Sequence, residues 1–421
     1  MKAGRGRLQP HATAPRAQGR NARLVAVRAL LAWQEGQAEF LDDALARSEA
    51  SLSDDRDQGL ARELALGALR HGMLYDAVMD QFLKRSHQPF ALRACLRIGC
   101  HQLFALDRVP PHAAVAESVG VLRELGLSGL AGVANAVLRR LAEARLAERT
   151  GPGPLGRLPE TLQPTDLAER HGLPELLIEH LRGVLDQDPT RTLAALNVLP
   201  PLCTRTRPGK AQPQGHSIVQ RDGPWTWWDE PHEALAAVAD GLCVVQDRAQ
   251  GEVVAVARPR PGEWVLDACA APGGKSSAFI DAGCRVVAAD RELAKVAQMP
   301  EPPARLVQDS ARPALAGGAF DLVVVDAPCS NSGVLARRPE ARWRYQAEAL
   351  RRLGNIQRAL VKAAVTQVAP DGRLLYATCS LAPQENQAIA HTVPGWKVMG
   401  ERLSWPTAWQ SGGYAALLVR C

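Results

Sequence analysis

Two cysteines stand where a thiol can react rather than only pack. Cys379 lies in Thr378-Cys379-Ser380 and Cys329 in Asp326-Ala327-Pro328-Cys329-Ser330, each after a β-rich run. A single cysteine at a strand end is more often buried packing than a nucleophile. Two of them, one with an acid three residues upstream, reverse that balance. A thiolate can add to an electron-poor carbon, and a neighbouring acid can hold the charge that develops. Cytosine C5 is a substrate atom that would need such a set, because it is too weakly nucleophilic to take an alkyl group directly. Addition of a thiolate at C6 turns C5 into an enamine carbon. The adduct must then lose the C5 proton and expel the thiol, which calls for a second group nearby. Asp326, protonated or hydrogen-bonded to the N3/N4 edge of the base, would stabilise charge during addition. A free thiol, with a pKa of about 8.5, is only a few per cent ionised at neutral pH, so the attacking one needs a depressed pKa. Spacing does not say which thiol attacks.

A second constellation follows another strand: Asp267-Ala268-Cys269-Ala270-Ala271-Pro272-Gly273-Gly274-Lys275-Ser276. Small residues and two glycines let a ligand approach the backbone closely, with a helix N-terminus behind. Cys269 to Ser276 would read as a phosphate-binding G-x-x-x-x-G-K-[ST] loop if Cys269 were glycine. A dinucleotide G-x-G-x-x-G pattern is absent. Asp290 ends the next strand 23 residues after Asp267, where an acid grips ribose hydroxyls. Adenosine, close backbone approach and no required phosphate together point to S-adenosylmethionine. Asp290 could instead cap the next helix, and a phosphate-binding NTPase is the rival reading, disfavoured by Cys269 and Asp290. Asp309 and Asp326 end further strands and join Asp290 as candidate cofactor residues.

The elements that must hold these groups can be read from periodicity. After Gly262, β-rich runs end in acids at Glu263–Asp267, Arg285–Asp290, Ala304–Asp309 and Phe320–Asp326, with helical stretches between most of them. Arg373–Cys379 follows a helix at Asn355–Ala369, and Tyr414–Val419 is the last strand. The alternation predicts an α/β, doubly wound, mostly parallel sheet. In such sheets ligands bind beyond the carboxyl ends of the strands, where Asp267, Asp290, Asp309, Asp326 and Cys379 all fall. Residues 22–145 read as helix throughout. Leu92, Cys95, Leu96, Gly99, Leu103 and Leu106 share one helix face, with Arg93, Arg97, His101 and Asp107 off it. Thr150–Pro164 is rich in Pro and Gly and reads as a linker. Residues 165–198 are helical with a break at residues 171–174. Arg207–Pro224 is irregular and leads to Trp225, Trp227 and Trp228, a satellite core or a base-stacking cluster.

Composition sets the outer limits. Hydrophobic residues make up 46% and charged residues 22%, an ordinary globular balance. No apolar run approaches the roughly 18 residues of a spanning helix, and the N-terminus lacks a secretory apolar core, so a cytoplasmic protein without membrane contact is expected. Nine cysteines with no Cys-x-x-Cys pair fit neither a disulfide framework nor a structural zinc site, and no metal is expected. The formal charge is +6, equalled by six basic residues and no acid in residues 1–23. That tail reads as solvated and disordered, or as a tether to phosphates. Seven arginines (337, 338, 342, 344, 351, 352 and 358) with Trp343 and Tyr345 follow the Cys329 loop. They read as an RNA entry path or as a solvated helix face.

The motifs resemble one family. Asp267–Lys275, Asp326–Ser330 with Gly333, and Tyr376–Ser380 followed by Pro383, Glu385 and Asn386 look like the RNA cytosine-C5 methyltransferases. That resemblance implies a seven-stranded methyltransferase sheet, S-adenosylmethionine as donor, Cys379 as nucleophile and Cys329 as the residue assisting release. It also implies Cys269, Ala270, Ala271, Pro272, Gly273, Gly274, Lys275, Asp290, Asp309 and Asp326 as cofactor residues. Asp107-Arg108-Val109-Pro110, Ala114–Glu117 and Asn135–Arg140 look like the NusB-like domain fused to bacterial RsmB-type enzymes. Such enzymes modify one cytosine of small-subunit ribosomal RNA, so 16S rRNA is the expected partner of a monomeric enzyme. The expected layout is a disordered basic tail at 1–21, an all-α NusB-like RNA-binding domain at 22–148 and a linker at 149–165. A connecting subdomain follows at 166–250 and the catalytic domain at 251–421. The chain departs from the family in having only 18 residues between Asp290 and Asp309, so the helix there must be short. Asp309 sits in Gln-Asp-Ser rather than the usual Gly-Asp-Ala or Gly-Asp-Gly. Rival readings are a cytosine-C5 methyltransferase of tRNA or large-subunit rRNA, and a non-catalytic RNA-binding assembly factor.

Overall fold

Helix-forming sequence with apolar faces three and four residues apart fills the first part of the chain. The computed structural model describes residues 21–421 except 85–86, 152, 186–188, 300–303 and 316. Residues 1–20 of the basic tail lie outside the described residues. The chain divides into two units, at Gln163/Pro164.

The first unit holds α1 (Ala22–Gln34), α2 (Leu41–Glu49), α3 (Asp55–Arg70), α4 (Gly72–Asp80), α5 (Phe90–Phe104), α6 (Pro111–Glu124) and α7 (Ala131–Ala144). Asn21 caps α1 by accepting the Arg23 N–H at 2.9 Å, and Pro111 opens α6 where no N–H is needed. Helix α5 packs against α1, α3, α4, α6 and α7. It is therefore buried on more than its apolar face, and Arg97 and His101, expected off that face, are buried too. Each is paired. Arg97 forks onto Asp76 through bonds of 2.9 and 2.6 Å, and His101 bridges Tyr75 and Glu63 at 2.9 Å each. Gly67 makes room, since a Cβ there would lie 2.1 Å from the His101 ring.

The stretch expected as a linker folds onto this unit. Leu158 is fully buried, the Leu146 N–H donates to Arg157 O at 3.0 Å, and Arg149 and Arg157 both reach Asp107. Proline and glycine here shape tight turns, not a free tether.

The second unit starts with α8 (Leu167–His171), α9 (Glu175–Leu181) and α10 (Pro189–Ala195). Strands β1 (Leu202–Thr206), β2 (Ile218–Asp222) and β3 (Trp225–Trp228), helix α11 (Pro231–Ala239) and β4 (Cys243–Val245) follow. The four strands form an antiparallel sheet in the order β2-β3-β1-β4, which the irregular, proline-dotted sequence did not disclose. Trp227 and Trp228 are fully buried, and the Trp228 indole donates to Thr204 Oγ1 at 2.9 Å. Trp228 forms a satellite core with Ala234, Ala237 and Cys243, while Trp227 packs edge-on against Trp409.

After α12 (Arg248–Ala257) comes β5 (Trp264–Asp267), α13 (Gly274–Asp281), β6 (Arg285–Asp290), α14 (Leu293–Gln298), β7 (Ala304–Val307) and β8 (Phe320–Asp326). Helix α15 (Ala347–Ala364), β9 (Val368–Thr378), α16 (Gln387–Ala390), β10 (Trp396–Ser404) and β11 (Gly413–Arg420) complete the chain. The seven-stranded sheet has the order β10-β11-β9-β8-β5-β6-β7. From β9 to β7 it is parallel, and β11 and β10 add antiparallel strands. Alternate residues serve opposite faces. Leu266, Val323, Val325, Leu374 and Tyr376 pack with Leu360 and Val361 of α15, while Val265, Leu322, Val324, Leu375 and Ala377 pack with Val253 of α12 and Phe279 of α13. Burying each such aliphatic side chain contributes about 1.5–3 kcal/mol. The result is a rigid floor whose carboxyl edge carries the two motifs. Helix α14 has six residues, as the short spacing demands. No described helix is long and apolar enough to cross a membrane.

Candidate active site

The loop after β5 turns sharply because Gly273 adopts φ +102°, a conformation open to glycine. It delivers the chain into α13 at Gly274. Ala270 N–H donates to Ala289 O at 2.9 Å and Ala271 N–H to Asp290 Oδ2 at 3.2 Å. The other Asp290 oxygen receives the Glu292 N–H at 3.2 Å. Both of its oxygens are thus held by backbone, with lone pairs left for a ligand. Asp267 is fully buried; one carboxylate oxygen accepts Ser276 Oγ at 2.6 Å and the other has no protein partner. Burial, opposed by the Ser276 hydrogen bond and reinforced by the Asp326 charge, pushes its pKa up to about 6. Burial, followed by the charges of Asp267, Asp326 and Asp290, pushes the Cys269 thiol well above its usual range.

Lys275 is not aimed at an open phosphate nest. Its ammonium sits 2.5 Å from Asp326 Oδ2 and also bonds the Gln250 side chain. Burial alone would lower its pKa, but the charge and hydrogen bond of Asp326, with the charges of Asp267 and Cys379, raise it instead. Asp309 stands apart from these groups. It is exposed, two residues beyond the end of β7, and its carboxylate accepts the Ala311 N–H at 3.1 Å.

Strands β8 and β9 are parallel neighbours, with Asp326 in register with Ala377. Their ends bring Cys329 and Cys379 together, Sγ to Sγ 3.1 Å, far beyond the roughly 2.05 Å of a disulfide. The hydrogen bond to Cys379, then burial, then the charges of Cys379 and Glu385 raise the Cys329 pKa well above its ordinary value. Cys329 is buried, and Cys379 is the half-open member of the pair.

One buried carboxylate anchors both loops. Glu385, 1% exposed, accepts Ser330 N–H at 2.9 Å, Ser330 Oγ, Ser380 Oγ at 2.7 Å and Gln357 Nε2 at 3.1 Å. Asn386 takes the Thr378 hydroxyl at 2.6 Å and donates to Ser380 O at 3.0 Å. Gly333 allows a close backbone approach, its N–H donating to Cys379 O at 2.9 Å, and a Cβ there would lie 2.7 Å from Gly412.

The arginine segment divides. Arg342, expected on the RNA path, is 1% exposed and donates to Gly172 O, Asn197 Oδ1 and Leu335 O. Tyr345 is buried against His180. Arg344, Arg351, Arg352 and Arg358 are exposed.

A family model described as 16S rRNA methyltransferase RsmB/F matches residues 254–394, and the NusB family model matches residues 20–143. A Pseudomonas putida protein named ribosomal RNA small subunit methyltransferase B is 32% identical over 399 residues, 88% of each chain. This chain belongs to that family. The small subunit methyltransferase B fold is further matched by the crystal structure of PH0851, with a TM-score of 0.72 and 21% identity over 97% of this chain and 100% of that one. A methyltransferase homolog from Pyrococcus horikoshii superposes with a TM-score of 0.52 and 20% identity, over 63% of this chain and all of the other. Within this small subunit methyltransferase B relative, sequence reasoning did not find Gln250, Asn331 or Gln357 at the site. Gln250 and Gln357 reach it only through the fold, with no spacing to announce them, whereas Asn331 follows Cys329 by two residues and only its reach to Cys379 depends on the fold.

Proposed function

We propose that this chain transfers a methyl group from S-adenosylmethionine to C5 of one cytosine in small-subunit (16S) ribosomal RNA, through a covalent bond between Cys379 and C6. The observation that carries this reading is the pair of thiols in contact at adjacent strand ends, 3.1 Å apart, beside the Lys275–Asp326 pair of the glycine loop. The relatives named as small subunit methyltransferases support the substrate class.

The cleft suits the donor by its own chemistry. Asp290 offers two backbone-braced oxygens for ribose hydroxyls, the residues from Cys269 to Lys275 give a small-residue wall, and Asp267 offers an unpartnered buried oxygen. Bound there, S-adenosylmethionine supplies an electrophilic methyl group; Asp326 borders the same space, and Asp309 is the outermost candidate.

The cytosine must leave any stack to reach Cys379, so a single-stranded or loop target is expected. The Cys379 thiolate forms the S–C6 bond, and the electron pair displaced from the C5–C6 bond is held by the ring against Asp326 and Lys275. After C5 has been methylated, its proton passes to solvent, the C5–H electrons rebuild the C5–C6 double bond, and the S–C6 pair returns to the Cys379 sulfur. Cys329, in contact with Cys379, is the group that assists this release. Exposed Arg344, Arg351, Arg352 and Arg358 give the RNA backbone a basic approach.

Mapping 5-methylcytosine at single-nucleotide resolution in cells with and without the gene tests the assignment. One 5-methylcytosine should vanish from small-subunit rRNA while tRNA and large-subunit rRNA stay unchanged. Loss from tRNA or large-subunit rRNA instead would overturn the substrate, and no loss anywhere would favour a non-catalytic assembly role.

A further inference from the structure

Asn331 stands between the two thiols in a way that the proposed chemistry does not require. Its backbone is left-handed, φ +60°, and among the described residues only Arg258 shares a positive φ without being glycine. Asn tolerates this conformation better than most residues. From it the side-chain amide bridges both cysteines. Oδ1 accepts the Cys379 thiol at 2.9 Å and Nδ2 donates to the Cys329 carbonyl at 3.3 Å. The second bond fixes the orientation of the amide. Turned over, Oδ1 would face the Cys329 carbonyl, two acceptors with no proton between them.

A carbonyl oxygen aimed at sulfur favours S–H over the thiolate. The other ionisable groups around Cys379 are Cys329, 3.1 Å away, Lys275 with its partner Asp326, and Glu385 beneath both loops. The Cys329 thiol and the Lys275 ammonium favour negative charge on Cys379, the Asp326 and Glu385 carboxylates oppose it, and Asn331 adds the one direct hydrogen bond that holds the proton on sulfur. We propose that Asn331 is a further active-site residue that holds the proton on Cys379 in the resting enzyme, the thiolate forming once the hydrogen bond to Asn331 Oδ1 is broken. The released proton passes to solvent, which the half-buried Cys379 can reach. The proposal rests on the reading of Cys379 as nucleophile and adds a device that keeps it unreactive between turnovers.

Alkylation by iodoacetamide tests this without RNA or methyl donor. The thiolate forms a C–S bond, iodide leaves, and the thiol proton has already gone to the buffer. Peptide mass spectrometry of the full chain between pH 6 and 10 reads the rate at Cys379 separately from the other cysteines. Asn331→Gly removes the amide and suits φ +60°, so the loop keeps its shape. Its Cys379 should be alkylated about three- to tenfold faster at pH 7, the scale of one neutral hydrogen bond, with the profile moved to lower pH. Asn331→Asp keeps the shape but sets a carboxylate against the sulfur, and should react more slowly than wild type. A merely structural role would leave both rates unchanged or move both the same way, and either result overturns the proposal. Methylation by Cys379→Ala separates the two readings: residual activity there sinks the nucleophile assignment. An inactive Cys379→Ala with rates indifferent to Asn331 sinks only the present proposal.

Discussion

Glu385 illustrates how far a single side chain can organise a site. Its carboxylate gathers donors from the residue after each cysteine and from α15. Glu385→Ala would strand several buried donors, each costing about 1–3 kcal/mol. A loss of roughly 3 kcal/mol or more in urea unfolding is expected, with methylation falling in parallel, whereas Ser330→Ala should cost only about 1 kcal/mol. Asp267 gives a prediction with a sign. Its pKa is raised to about 6 in the fold from an ordinary value of about 3.9, so the folded state holds the proton more tightly. The resulting destabilisation is absent below the lower value and complete above about pH 6. Asp267→Asn should therefore gain stability relative to wild type between pH 4 and pH 7.5, as read from thermal midpoints, and an unchanged difference across that range would refute the assignment. At this scale the pairing of Cys329 with Cys379 and the strand-end places of Asp267, Asp290 and Asp326 were legible, because residue type and position limit what can follow a parallel strand. Glu385 was legible only as part of a motif. Nothing in Pro-Gln-Glu-Asn says that its carboxylate is buried, since that depends on two serines about 50 residues apart.

Helix α15 and the segment before it show the same limit among elements. Seven arginines read as one basic surface, yet Arg342 is a buried brace between Gly172, Asn197 and Leu335. Arg342→Ala would leave these acceptors without their donor and should lower stability by about 3 kcal/mol or more. The double substitution Arg351→Ala, Arg352→Ala should leave the thermal midpoint nearly unchanged. It should weaken RNA binding and flatten its salt dependence by about 0.7 per lost phosphate contact. Equal destabilisation by both changes would contradict this division. The parallel strands β5, β6 and β8 were readable because each is a short run of mostly apolar residues ending in an acid. Strand β10 was not, because half-exposed Trp396–Ser404 mixes charged and apolar residues and bulges between Val398 and Gly400. The small antiparallel sheet escaped for a related reason: its strands are three to five residues long, too short for a period to show.

For the whole molecule, two units with separate cores meet in sequence at Gln163/Pro164. Composition misled here, because Pro and Gly mark turns as readily as tethers. A fragment of residues 21–163 should resist urea better than one of residues 21–148, since the shorter piece loses buried Leu158 and the Arg157 contacts to Leu146, Ala147 and Asp107. Equal midpoints would return residues 149–163 to the role of a linker. Across the whole chain, the proposed chemistry converges on Cys379, which bonds to the base, and Cys329, which frees it. Incubation of the full chain with small-subunit rRNA and S-adenosylmethionine, followed by denaturing electrophoresis, tests it most directly. Cys329→Ala should accumulate a protein–RNA adduct that survives denaturation, and Cys379→Ala should form none and transfer no methyl group. An adduct with Cys379→Ala, or methylation by it, would contradict the account.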